Sequence, residues 1–231
     1  MKIPLSNRLI ACCGYVAPGD RVADIGCDHG YLGIYLLKNG IASYVIAADV
    51  NPQPLDSARQ NAGKFGVSSK MDFILSDGVE KLPRDFDCMV CAGMGGDTMI
   101  HILGSAPWLK DGRYRLVLQC QSKRPLLRRW LRQEGYRIAR ETLAKDGKFV
   151  YSVMDVTYDP APMTREADFY LSPQLLEDKH PLLKEYYDRV RQGVRLTVDG
   201  MRRAEDPELA AFEEILADLD ALEEMIYDNC G

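Results

Sequence analysis

Three carboxylates, Asp24, Asp49 and Asp77, each stand at or near the end of an apolar run and each leads into a turn. The first opens the pattern Asp24-x-Gly26-x-x-x-Gly30, and Asp49 follows Gly30 by nineteen residues. Acids at successive strand ends, beside glycines that admit a ligand to the backbone, make a site for a nucleoside-bearing cofactor.

The spacing is not the dinucleotide fingerprint Gly-x-Gly-x-x-Gly, because Asp28 occupies the position of its second glycine. It suits S-adenosylmethionine better than NAD. That cofactor sets three demands: a turn of little bulk near the methionine part, a carboxylate for the ribose diol, and an acceptor for the adenine amine. Gly26 and Gly30, with Cys27 between them, meet the first, and Asp24 meets the ammonium group. Asp49, followed by Val50, meets the second, and Asp77-Gly78 meets the third. Gly93 and Met94 follow the fourth strand-like run and face the cofactor or a flat base edge. The alternatives are structural. Asp49 could cap a helix, but Asn51 fills that position; Ser76 or Asp77 could cap a short turn at Val79–Leu82.

Positioning these groups requires alternating elements. Ser6 caps a helix through about Val16. Strands are expected at Arg21–Ile25, Tyr44–Ala48, Met71–Leu75, Phe86–Ala92 and Arg115–Leu118. Helices fall at Tyr31–Lys38, from Pro52 to Phe65, Gly96–Leu103 and Leu126–Glu134. A hairpin, Tyr136–Leu143 with Phe149–Tyr158, closes the sheet. This order predicts an α/β fold, a Rossmann-like sheet with helices on both faces. Asp159-Pro160-Ala161-Pro162 marks a boundary, giving one domain over 1–159 and a helical one over 160–231. There Leu183, Tyr187, Val190, Val194, Thr197 and Met201 make one apolar stripe, and Leu209, Phe212, Leu216 and Leu219 another, predicting an antiparallel coiled-coil pair.

The net charge of −5 is unevenly spread. Residues 204–231 hold ten acids and no Lys or Arg, so the other 203 residues carry +5. A mildly basic body is compatible with an anionic polymer substrate. No apolar run approaches a membrane span, and seven cysteines without a framework spacing suggest the cytoplasm. Cys88-x-x-Cys91 has no second pair, and alternation sends its members to opposite strand faces, so no metal is expected. A monomer is favoured.

Several motifs together resemble one family. Ser6-x-Arg8-Leu9, Asp24-Ile25-Gly26-x-Asp28-His29-Gly30-Tyr31, Asp77-Gly78, Gly93-Met94-Gly95-Gly96 and Leu126-x-Arg128-x-Trp130-Leu131 resemble the bacterial tRNA (adenine-N1)-methyltransferases called TrmK. The resemblance implies a class I methyltransferase domain with a C-terminal helical coiled-coil domain, and methylation of N1 of adenosine 22 in tRNA. One departure stands out: Gln119-Cys120-Gln121 replaces the family's usual Gln-Pro-Asn.

Ring N1 of adenine carries a lone pair, so in-line placement matters more than a general base. Asp28 is expected to stabilise the cationic product, with His29 and Tyr31 positioning or stacking the base. Lys123, Arg124, Arg128, Arg129 and Arg132 lie in the densest basic stretch and are candidate RNA contacts, as is Arg8, which could alternatively meet the cofactor carboxylate. Rival readings are an NAD-dependent oxidoreductase and a non-catalytic tRNA-binding protein.

Overall fold

The computed structural model describes residues 2–160 and 165–228. Seven strands form one sheet in the order β3-β2-β1-β4-β5-β7-β6. They are β1 (Arg21–Ile25), β2 (Tyr44–Asp49), β3 (Met71–Leu75), β4 (Cys88–Gly95), β5 (Arg115–Ser122), β6 (Tyr136–Asp146) and β7 (Phe149–Tyr158). The first five pair in parallel, and β7 enters antiparallel between β5 and β6. All five parallel strands therefore end on one edge. The β6–β7 turn reaches the same edge, because β6 runs in the direction of β5.

Continuous Val, Ile and Ala runs suit strands covered on both faces. One face packs under α1 (Asn7–Cys13), α2 (Tyr31–Lys38) and α3 (Pro52–Phe65). The other packs under α4 (Gly96–Gly104) and α5 (Arg124–Gln133). Cys88 belongs to the first apolar cluster and Cys91 to the second, as strand alternation requires. Burying a residue such as Ile46 or Leu116 contributes about 1.5–3 kcal/mol, and both are fully enclosed.

The C-terminal part holds α6 (Pro173–Glu177), α7 (Leu183–Ala204), α8 (Leu209–Asp220) and α9 (Glu223–Asp228). Arg191 pairs with Asp220 near the start of α7 and Arg202 with Glu213 near its end, so α7 and α8 run antiparallel. Their apolar cluster takes in Leu143 and Val150 of the β6–β7 hairpin. Of the expected stripe on α7, Leu183, Tyr187 and Val194 are buried, joined by Tyr186 and Val198, while Thr197 is exposed. Of the expected boundary, Ala161 and Pro162 lie outside the described residues.

Two further expectations are corrected. The first helix stops at Cys13 rather than Val16, and Ser6 makes no capping bond. Asp146 caps it from the hairpin, its carboxylate accepting the N–H groups of Asn7 (2.9 Å) and Arg8 (3.2 Å). The fourth strand begins at Cys88 and runs on to Gly95, with register shifts around Met94.

Candidate active site

A cleft of about 300 Å³ opens at the edge where the parallel strands end. Its walls include Ser6, Arg8 and Leu9 on one element, Asp24, Gly26, Cys27, Asp28, His29 and Tyr31 on another, and Ala92 on β4.

The turn after β1 is held from two sides. Gly26 and Cys27 donate their N–H groups to the Ala48 carbonyl at 2.8 and 3.0 Å, fastening the turn to β2. Asn61 of α3 donates its side-chain amide to the His29 carbonyl at 3.1 Å. Gly26 and Gly30 both have φ of +70°, where a side chain is strained. Their surroundings differ. A Cβ on Gly26 would lie 2.2 Å from Met94 Cε, and one on Gly30 would lie 2.8 Å from the Ala58 Cβ. Gly30 thus serves helix packing, while Gly26 lines the cleft beneath Met94.

Asp49 is nearly buried and takes part in the turn. Its Oδ2 accepts the Asp28 N–H at 3.3 Å and its Oδ1 the Asn51 N–H at 2.9 Å. The Asn51 side chain makes no capping bond, although Asn51 holds the N-cap position; Asp49 instead fixes the backbone of the turn that precedes α3. Val50 beside it is 60% exposed, an apolar surface at the strand end. On the next strand end, Ser76 Oγ accepts the Lys81 N–H and serves the short turn. The Asp77 carboxylate is left exposed, 3.9 Å from His101 Nε2. Gly78 is buried with φ of +52°, and a Cβ there would come within 3.0 Å of Ile102, so its role is packing against α4.

The glycines after β4 divide in the same way. A Cβ on Gly95 would meet Ser122 Oγ at 2.9 Å and one on Gly96 the Lys123 carbonyl at 2.7 Å. Both are needed for close packing, not for a bare surface. Gly93, with φ of +84°, faces Arg8 and donates its N–H to Gln119 Oε1 at 3.1 Å.

Asp24 is 4% exposed and its Oδ2 has no hydrogen-bond partner. Burial, then the charge of Asp49, raises its pKa to about 7; the backbone of Gly33 opposes the shift, and Asp28 adds to it. A buried carboxylate oxygen without a partner is costly unless a ligand completes it. A ligand ammonium does so, which fits the amino-acid end of S-adenosylmethionine. Ser6 Oγ and Gln119 Nε2 are also buried without partners. Sequence reasoning had not placed Ser6, Gln119 or Asn61 in the site. The neighbouring Gln119-Cys120-Gln121 departure was the available signal.

Asp28, His29 and Tyr31 form the outer rim. Asp28 has φ of +49° and is well exposed, its Oδ1 3.6 Å from His29 Nε2. The His29 and Tyr31 rings lie 6.0 Å apart, and Tyr31 meets Phe65 edge to face. Among the described residues no cluster of His, Cys, Asp or Glu could hold a metal ion, and no helix is long and apolar enough to cross a membrane. Burial pushes the Cys91 thiol up to about 12, and Cys120 donates its thiol to the Ser122 carbonyl, so neither is set up as a nucleophile.

The basic stretch is corrected in one member. Arg128 is 2% exposed and pairs with Glu141 inside the protein, so it presents no charge to RNA. Arg129 pairs with Glu166, and Arg132 lines a small cavity with Tyr136 and Ser172 at the opposite sheet edge. Lys123 and Arg124 follow the end of β5; Lys123 pairs with Asp97 at 2.7 Å and Arg124 lies over the Tyr186 ring. Beside Arg124 runs a groove of about 430 Å³ between α5 and the α7–α8 pair, lined also by Tyr170, Arg189, Thr197 and Phe212.

Comparison with known proteins agrees with this geometry. Residues 5–154 match the family model for a methyltransferase domain. The tRNA (adenine(22)-N(1))-methyltransferase of Bacillus subtilis is 28% identical, over 97% of this chain and 98% of its own. The crystal structure of the B. subtilis m1A22 tRNA methyltransferase TrmK superposes with a TM-score of 0.79 at 26% identity, covering both chains fully. A candidate tRNA (m1A22) methyltransferase of Streptococcus pneumoniae, in complex with S-adenosyl-L-methionine, gives 0.79 at 25% identity, covering 92% of this chain and 99% of that one. The chain belongs to the methyltransferase-domain family, within which it shares its whole length with TrmK.

Proposed function

We propose that this protein transfers the methyl group of S-adenosylmethionine to N1 of adenosine 22 in tRNA. The observation that carries the reading is the buried Asp24 carboxylate, its Oδ2 without a partner, in a cleft at the parallel-strand ends. The full-length likeness to a curated enzyme of that activity supports the substrate.

When bound, the cofactor supplies an electrophilic methyl on sulfur. Asp24 holds the ammonium group, Asp49 accepts from the ribose diol with Val50 against the adenine, and Asp77 accepts from the adenine amine. Gly26, Cys27 and Gly93 admit the amino-acid end, and Met94 covers Gly26. Tyr31 and His29 hold the turned-out base at the rim. A stacked ring offsets about 1–3 kcal/mol of the unstacking cost. Asp28 faces the positive charge that develops on the ring. Placement in line with the methyl carries most of the catalysis, because the attacking nitrogen needs no proton removed.

The RNA runs along Lys123, Arg124 and the α5–α7–α8 groove, in which Arg189 adds a cation. The division into a catalytic domain over 1–159 and a helical domain over 160–231 belongs to the same reading. The helical part supplies one groove wall.

The test is incubation with unmodified tRNA and labelled S-adenosylmethionine, followed by nuclease digestion and mass spectrometry. The expected product is 1-methyladenosine at position 22. Label on another base, or on none, rejects the substrate.

A further inference from the structure

The hairpin between β6 and β7 turns on Gly147-Lys148, with Asp146 directly opposite Phe149. Side chains alternate along it, so its two faces do different work. Lys145 and Val150 share one face. Lys145 pairs with Glu185 of α7 at 2.6 Å, and Val150 joins the apolar cluster of the C-terminal helices. Asp146 and Phe149 share the other face, where Asp146 holds the start of α1, the element whose Leu9 walls the cleft. Phe149 itself is 49% exposed, and among the described residues no apolar cluster takes it in.

Cations flank this ring. Lys148 Nζ lies 5.3 Å and Arg189 Cζ 5.9 Å from its centroid. Among the described residues Lys148 makes no ion pair. Arg189 donates to the Lys148 carbonyl and also lines the groove beside α5. The ring thus stands where the groove reaches the hairpin, on the hairpin face turned toward α1. Anchors to α1 on one side and α7 on the other hold it there.

An exposed aromatic ring flanked by cations matches unpaired nucleic acid: the ring takes a base, and the cations take the phosphates beside it. A paired base, stacked within its own helix, offers such a ring no face. Turning a target adenine out of a folded tRNA unstacks the bases next to it, so a base in need of a new stacking partner arises beside the cleft. We propose that Phe149 is a stacking platform for an unpaired base neighbouring the target adenosine, with Lys148 and Arg189 on the flanking phosphates. The proposal rests on RNA as the substrate, and it adds a contact on the hairpin to those of the groove and the rim.

Three RNAs test it: unmodified tRNA, a single-stranded oligoadenylate and a blunt RNA duplex. Each is titrated across a salt series into wild type, Phe149→Ala, Phe149→Leu, Phe149→Trp and Lys148→Ala. Losing one stacked base predicts that Phe149→Ala weakens tRNA and oligoadenylate by roughly five- to a hundredfold. Duplex binding should change by less than about twofold. Phe149→Leu should behave like Phe149→Ala, because an apolar side chain without a π-face does not replace the ring. Phe149→Trp should bind as well as wild type or better. The slope of log affinity against log salt should stay unchanged in the Phe149 variants and fall by about 1 in Lys148→Ala. The denaturation midpoint of Phe149→Ala should match wild type, as expected for a half-exposed ring outside the apolar clusters. Full RNA affinity in Phe149→Ala, an equal loss on duplex and single strand, or a loss that Phe149→Trp does not restore overturns the platform. Methyl transfer plays no part in these titrations. Label on a base other than adenosine 22 therefore rejects that substrate separately, whereas a wild type that binds no RNA overturns both readings.

Discussion

Arg128 of α5 and Glu141 of β6 form an ion pair sealed from solvent, with side chains 1% and 0% exposed. Arg128 also donates to the Phe169 carbonyl at 3.3 Å, and Glu141 accepts from Ser172. The pair therefore joins the sheet to the segment that leads into the C-terminal helices. Removing one partner leaves a buried charge uncompensated, so Arg128→Met should lower the unfolding free energy by about 3–5 kcal/mol. Adding Glu141→Leu should recover a large part of that, because two apolar groups replace the pair. Denaturant titration of the three proteins checks the order. The salt dependence of tRNA binding should match wild type in Arg128→Met, since a buried cation releases no counterions. A shallower slope would return Arg128 to the RNA surface.

Why that arginine misleads is physical. Counting along residues 123–140 finds seven cations against Glu134 alone, but the partners are long-range. Glu141 returns on β6, Asp155 on β7 meets Arg140, and Asp159 meets Arg137. Charge balance along the chain cannot see pairing made by antiparallel neighbours. Strands fare better where an apolar run is bounded by turn residues. Arg21–Ile25, Met71–Leu75 and Phe149–Tyr158 are read to the residue. The three acids at the strand ends follow directly, because the parallel arrangement puts those ends on one edge. What the chain does not disclose locally is how each supporting group is used. Ser6 resembles a cap until Asp146 takes that task from the hairpin, and Asn51 holds the N-cap position of α3 without a side-chain capping bond. Gly95 and Gly96 look like open backbone until Ser122 and Lys123 fill the space.

Cofactor affinity should depend on pH through Asp24. Burial raises its pKa from 3.8 to about 7 in the free protein. The group is thus mostly protonated below that value, and an ammonium ligand must displace the proton. Affinity for S-adenosylhomocysteine should fall by up to about tenfold per pH unit below 7 and level off above it. The sign for stability is the reverse. The folded pKa is raised, so this group's contribution without cofactor is present below 3.8 and declines as pH rises toward 7. Calorimetry between pH 5.5 and 8 checks the binding limb. Asp24→Asn should flatten it, and a slope that survives the substitution would place the titration elsewhere.

The groove beside α5 predicts which cations meet RNA. Arg124 and Arg189 line it, and neither is buried as Arg128 is. Replacing either by Ala should weaken tRNA binding and reduce the slope of log affinity against log salt by about 1. The loss should be nearly independent of tRNA sequence, as expected for phosphate contacts. Filter binding across a salt series reads both quantities. Equal slopes in all variants would mean that the RNA follows another path.

Asp28 offers a test of the chemistry rather than of binding. Its φ of +49° is unusual for a residue with a side chain, and strained backbone at a site rim is retained where the surroundings hold it. Asn tolerates that conformation, so Asp28→Asn keeps the turn while removing the charge. Asp28→Gly relieves the strain and also removes the charge. If the carboxylate stabilises the cationic ring, both variants should lose at least about tenfold in kcat, about 1.4 kcal/mol. Their affinity for S-adenosylhomocysteine should stay near wild type, because the turn is fixed through the backbone bond to Asp49. Single-turnover rates on unmodified tRNA separate this from product release. A full rate in Asp28→Asn would show that the charge is not used, and would leave His29 and Tyr31 as the groups that hold the base.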